Sequence, residues 1–172
     1  MNRRRFLQTG AAAAAALSVT SCSNSRTKWR FFTDLEGRTL GALCDQIVPP
    51  DDYPGAAAAG AVEFLDRQLL RPYRKHRAAY RDGLARTDQL SLSRFGHPFA
   101  ELSSVQRNDI AHSLETHQRE FFELVLNHTM QSFYGSPRHG GNRDAVSWRM
   151  LGIPDPPVRG RANYDVRKPE QL

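Results

Sequence analysis

From about Phe31 onward, apolar positions in this chain recur every three to five residues. That is the period of an α-helix with one buried face. Thr33 stands three residues before Glu36, the spacing of a capping box, and Leu35, Leu40, Leu43, Cys44 and Ile47 follow until Pro49 and Pro50 end the run. The turn formers from Asp51 to Gly55 predict a loop. A second helix is predicted over residues 57–70, with Ala61, Phe64, Leu65 and Leu69 facing inward. Pro72 suits the first turn of a third helix. Tyr73, His76, Tyr80, Leu84 and Thr87 fall on one stripe of it, while Arg74, Lys75, Arg77 and Arg81 lie largely off that stripe as a solvated face. Phe95-Gly96-His97-Pro98 interrupts the pattern. Ser103 and Gln106 then form a second capping box, opening a helix that carries Val105, Ile110 and Leu114. Residues 120–134 give the clearest helix, lined by Phe121, Phe122, Leu124, Val125, His128, Thr129 and Phe133 with no Pro or Gly between them. No strand-like alternation and no internal repeat is visible. The expected fold is all-α: a small single-domain bundle of five or six helices, with a Gly-rich loop and an extended C-terminal tail.

The character changes after Tyr134. Residues 135–144 are rich in Gly and polar side chains, and a short helical turn carries Val146, Trp148 and Leu151. Pro154, Pro156 and Pro157 cannot sustain a helix. The predicted helical domain therefore spans residues 31–157, and residues 158–172 form an extended or disordered tail.

The N-terminus has a different design. Arg3, Arg4 and Arg5 precede Phe6 and Leu7, an apolar run covers residues 11–17, and small residues lead to Cys22. These are the three parts of a secretory signal, and the run is too short for a permanent membrane span. The paired arginines before Phe6 and Leu7 resemble the bacterial twin-arginine pattern, a route for proteins that are already folded. Residues 1–21 are read as that signal, with Arg3, Arg4, Phe6 and Leu7 as its export determinants, and residues 22–30 as a tether. Val19-Thr20-Ser21-Cys22 resembles a lipobox, which would lipidate Cys22. The alternative is cleavage near Ser21 with an incidental Cys22. The expected location is the periplasm, anchored to the membrane if Cys22 is acylated. Cys44, in a helical apolar pattern, reads as a buried small hydrophobe.

Composition narrows the function. The chain has 172 residues, 40% apolar and 24% charged, enough for one folded domain and too few for separate cofactor and substrate domains. Two cysteines cannot build a disulfide scaffold. The net charge is +6; without residues 1–21, which hold three arginines and no acid, it is +3. The loop and tail, with Arg138, Arg143, Arg149, Arg159, Arg161, Arg167 and Lys168, account for the remaining excess. This points to a protein partner with an acidic or carbonyl-rich groove and away from nucleic acid. There is no dinucleotide fingerprint, no Walker loop, no haem-attachment motif and no H-E-x-x-H. His112 and His117 are five apart, off a common helical face. His76 and His128 read as hydrogen-bonded core or interface histidines.

The loop from Tyr134 to Asp144 is the densest candidate site. Arg138, His139, Asn142 and Arg143 supply directed donors, and Gly140 and Gly141 permit close approach. Tyr134 and Trp148 are the usual anchor types of interfaces. Three readings stand: a docking surface for a partner protein, an anion site built on the Gly140 and Gly141 amides, and a structural loop that caps the bundle.

Residues 133–144 read Phe-Tyr-Gly-Ser-Pro-Arg-His-Gly-Gly-Asn-Arg-Asp, and residues 148–154 read Trp-Arg-Met-Leu-Gly-Ile-Pro. With Cys44 to Pro49 and Ala59 to Phe64, they resemble the gluconate 2-dehydrogenase subunit 3 family over most of the chain. Three departures from the family pattern stand out: Ser136 where Asp is usual, Ala145-Val146-Ser147 in place of a Gly-richer stretch, and Ile153 where an aromatic is usual. The resemblance implies a small all-helical accessory subunit with no cofactor, catalytic residue or metal of its own. Its partner would be a large FAD-dependent dehydrogenase of the glucose–methanol–choline type, often accompanied by a cytochrome c subunit carrying haem c. The small subunit would assist maturation of the flavoprotein and its passage through the twin-arginine translocation machinery. In this reading Tyr134, Arg138, His139, Gly140, Gly141, Asn142, Arg143 and Trp148 bind the partner. An independent periplasmic lipoprotein or ligand-binding module is the alternative, and a small hydrolase or metal enzyme using His97, His112, His117 or His139 is a third.

Overall fold

The computed structural model describes residues 28–153. The export determinants Arg3, Arg4, Phe6 and Leu7, the acylation candidate Cys22 and the tail 158–172 lie outside the described residues. Within them six α-helices and several short 3-10 turns follow one another, and no strand occurs among the described residues. The all-α bundle expected from periodicity is the fold observed.

Helix α1, Asp34–Ile47, starts at the predicted capping box. The Thr33 hydroxyl accepts the Glu36 amide, and the Glu36 carboxylate accepts the Thr33 amide. α1 is the central helix, in contact with α2 to α5 and with the turn Phe99–Glu101. Gly37, Thr39, Leu40, Gly41, Ala42, Leu43 and Cys44 are all buried, so neighbours pack on several of its sides. Leu35, expected on the inner face, is exposed in its first turn.

Helix α2, Ala61–Gln68, begins four residues later than predicted. Gly60 sits ahead of it in the left-handed region at φ +93, which breaks the helix and turns residues 57–60 into a separate bend. Ala56 and Ala59 are nonetheless buried. α3, Arg77–Phe95, follows a 3-10 turn at Arg74–His76 and ends on Gly96, whose left-handed φ of +75 is the usual terminator. Tyr80, Leu84 and Thr87 are inside, while Arg74, Lys75 and Arg81 face solvent.

Helix α4, Ser104–His117, opens on the second capping box as predicted. Ile110 and Leu114 are buried, but Val105 is 81% exposed. Five residues before Ile110 is about 140° around the helix, so Val105 belongs to the outer face. α5, Arg119–Tyr134, buries Phe121, Val125, His128, Thr129 and Phe133. Short α6, Val146–Met150, packs on α5; it buries Val146 and leaves Leu151 exposed.

Several polar groups inside the bundle tie elements together, although the buried hydroxyls of Ser132 and Ser147 have no hydrogen-bond partner. Asp88 of α3 accepts the Thr39 hydroxyl at 2.8 Å and the Phe99 amide at 3.0 Å. Asp66 of α2, 4% exposed, accepts the backbone amides of Arg30, Phe31 and Phe32. Residues 28–30, read from sequence as the end of a tether, are thereby packed onto the domain. Cys44 is fully buried and contacts the Thr129 hydroxyl at 3.3 Å. Burial pushes its thiol up to about 12.

Candidate docking site

The chain leaves α5 at Tyr134 and returns to it through α6, so the loop between them is a closed excursion over one end of the bundle. Asn142 closes it. Its side-chain amide donates to the Gly135 carbonyl at 2.8 Å, and its side-chain oxygen accepts the Ser147 amide at 3.0 Å. The residue is 0% exposed. The Trp148 indole N–H adds a bond to the Tyr134 carbonyl at 3.1 Å, so the two ends of the excursion are tied twice.

The backbone here is unusual. Asn142, Asp144 and Ala145 all have positive φ, at 45, 56 and 52. Asn and Asp tolerate that region, whereas Ala carries a steric penalty there. The left-handed turn is what directs the Asn142 side chain inward. Gly141 is needed for a different reason: a Cβ there would run into the carbonyl and hydroxyl oxygens of Ser132 on α5. Gly140, at φ +100, is both left-handed and pressed against the Arg67 guanidinium.

The second anchor of the loop is the N-terminal side of α2. The Arg143 amide donates to the Ala59 carbonyl at 2.8 Å, and its guanidinium donates to the Ala58 carbonyl at 3.1 Å. The same guanidinium lies 3.4 Å from Glu63.

The eight loop residues singled out from sequence therefore divide into three groups. Gly141 and Asn142 are buried and hold the loop from within, while Gly140 and Trp148 are half-buried. Arg138, His139 and Arg143 are exposed, as is Tyr134 at 38%. The Gly140 amide is already used by the Pro137 carbonyl at 3.0 Å, which removes one donor from the anion-site reading. Sequence reasoning did not find Glu63, Arg67 or Lys28 beside the loop. No local signal could have, because these contacts join segments far apart in the chain.

Of the histidines outside the loop, His76 and His128 lie together, with ring centroids 5.4 Å apart. His97 and His117 are exposed, and His112 pairs with Glu115 one turn away. No group of three His, Cys, Asp or Glu residues arranged to hold a metal occurs among the described residues. His128 is buried, stacked on Tyr73 with ring centroids 4.1 Å apart, and its Nδ1 lies 3.0 Å from the Tyr80 hydroxyl. Burial, assisted by nearby His76, pulls it down to about 4. It is a hydrogen-bonded core histidine, neutral at pH 7.

Two surface grooves lie elsewhere. One of about 260 Å³ includes Leu43, Ala111 and Phe122, and one of about 680 Å³ includes His76, Arg86 and Phe121. Neither is lined by a residue of the loop.

Comparison with known proteins gives one family. The family described as gluconate 2-dehydrogenase subunit 3 matches over residues 34–154, which takes in every helix and the whole loop. The curated proteins and the solved structures gave no match.

Proposed function

Because the chain belongs to the gluconate 2-dehydrogenase subunit 3 family, accessory subunits of dehydrogenase complexes, we propose that it binds the large FAD-dependent subunit of such a complex through the 134–148 loop. The observation that carries this reading is the division of labour within the loop. Asn142 and Gly141 fix it from inside, and Arg138, His139, Arg143 and Tyr134 are left outside with side chains suited to an interface. A loop already held in one conformation spends little of its binding energy on ordering.

The same reading assigns the remaining roles. The flavin belongs to the large subunit, and a cytochrome c subunit with haem c takes its electrons. Residues 1–21, through Arg3, Arg4, Phe6 and Leu7, address the folded pair to the twin-arginine machinery. The mature complex resides in the periplasm, held at the membrane by a lipid on Cys22. This chain supplies binding, maturation and address, and no catalytic group.

Co-expression with a large FAD-dependent dehydrogenase subunit from the same genome tests the proposal. The tagged chain should retain the flavoprotein, and deletion of its gene should leave that flavoprotein in the cytoplasm. Trp148→Ala and Asn142→Ala should reduce the yield of the pair, while Arg86→Ala on the solvated face of α3 should not. A flavoprotein that neither co-purifies nor needs this chain for export defeats the proposal.

A further inference from the structure

The loop shares its side of the molecule with α2 and with the arm ahead of α1. Lys28 of the arm and Arg143 of the loop converge on one carboxylate: the Lys28 Nζ is 3.2 Å and the Arg143 Nη2 3.4 Å from the same Glu63 oxygen. One turn further along α2, Arg67 lies against Gly140. Beside it Asp66 holds the amides of Arg30, Phe31 and Phe32. Arm, helix and loop are therefore one continuous surface.

Its charge is one-sided. Lys28, Arg30, Arg67, Arg138 and Arg143 are exposed. Of the acids in these segments, Glu63 is already shared by two cations, and Asp66 is buried beneath three amides. Asp144 is the remaining one. Among the described residues no carboxylate lies within ion-pair distance of Arg30, Arg67 or Arg138.

We propose that this arm–α2–loop face docks onto a carboxylate-rich surface of the large dehydrogenase subunit. The inference rests on the docking reading above and extends it in two ways. It states the chemistry of the partner surface, and it brings in α2 together with Lys28 and Arg30, which precede the region matched to the family. Unpaired cations cost little while they stay in water, and opposed to carboxylates they speed association and reject neutral or basic partners. The arginine fork adds paired hydrogen bonds to a carboxylate that lysine cannot match. Anionic phospholipid offers negative charge as well. The loop, however, presents its cations beside Tyr134 and Trp148 on a fixed backbone, which suits a shaped protein surface.

The test is the affinity of the full chain for the purified large subunit at low and high salt, where the screening length falls from about 10 Å near 0.1 M to about 3 Å near 1 M. Affinity should drop by about tenfold or more across that range. Arg67→Glu and Arg138→Glu should each weaken binding by about tenfold at low salt, and Arg86→Glu on α3 should leave it unchanged. Melting curves of the three variants separate lost binding from lost folding. A complex that forms equally well at both salts and with both reversals overturns the acidic-partner inference and leaves the docking reading standing. No complex at either salt overturns both. Reversals that abolish binding to phosphatidylglycerol vesicles, yet spare the large subunit, give the face to the membrane and overturn the inference.

Discussion

Asn142 bridges Gly135 and Ser147 through opposite ends of one side-chain amide, at 2.8 and 3.0 Å, and both Asn142 and Ser147 are closed to solvent. Replacing it with Ala leaves a carbonyl and an amide unpaired, each worth about 1–3 kcal/mol when buried. Asn142→Ala should therefore cost about 2–6 kcal/mol in urea unfolding. Asn142→Asp keeps the Ser147 bond but sets a carboxylate oxygen against the Gly135 carbonyl in a buried position, and should cost at least as much. A loss below about 0.5 kcal/mol would contradict the closure described.

Ala145 gives an expectation of opposite sign. Its φ of 52 is one that glycine adopts freely. The left-handed penalty for an L-residue is about 1–2 kcal/mol, and glycine costs about 0.5–1 kcal/mol in unfolded-chain entropy. Ala145→Gly should stabilise the chain by up to about 1 kcal/mol, read as a rise in melting temperature. A lower melting temperature would show that the Ala145 methyl makes contacts that outweigh the strain.

His128 makes the bundle sensitive to acid. Its folded value of about 4 lies below the ordinary 6.5, so the fold favours the neutral ring. The stabilisation is complete above pH 6.5 and is lost as the pH falls toward 4. It amounts to about 1–2 kcal/mol once solvent screening is allowed for. Tyr73, Tyr80 and His76 are the groups that face the ring. Stability measured from pH 7 to pH 4 should decline more steeply for the natural chain than for His128→Gln. Parallel curves would reject the assignment.

Cys44 should be silent toward thiol reagents. It is fully buried, and its thiol is pushed up to about 12, so almost no thiolate exists at neutral pH. In a chain carrying Cys22→Ser, a maleimide should label nothing until denaturant is added. Rapid labelling of the folded chain would mean that the contact between α1 and α5 opens readily.

Much of the fold was readable in sequence because its signals are local. Both capping boxes, at Thr33 with Glu36 and at Ser103 with Gln106, lie within four consecutive residues and form as spaced. The misreadings have equally local causes. Gly60 turns left-handed and delays α2, and Val105 sits a third of a turn or more off the buried stripe. The loop was recognisable as a motif, but its division into inner and outer residues was not. That division depends on three positive φ values and on a close approach to Ser132, none of which the residue types declare. The joining of Lys28 to Glu63, and of Arg30 to Asp66, spans more than thirty residues of chain and appears only once α2 is folded against the arm.

Asp66 also decides how tension would travel through the molecule. A pull on the chain ahead of Lys28 meets three amides held on one carboxylate before it reaches Thr33. Those bonds share the load and pass it into α2. The capped first turn of α1 lies behind that clamp, so a load on the arm meets α2 before it meets the central helix.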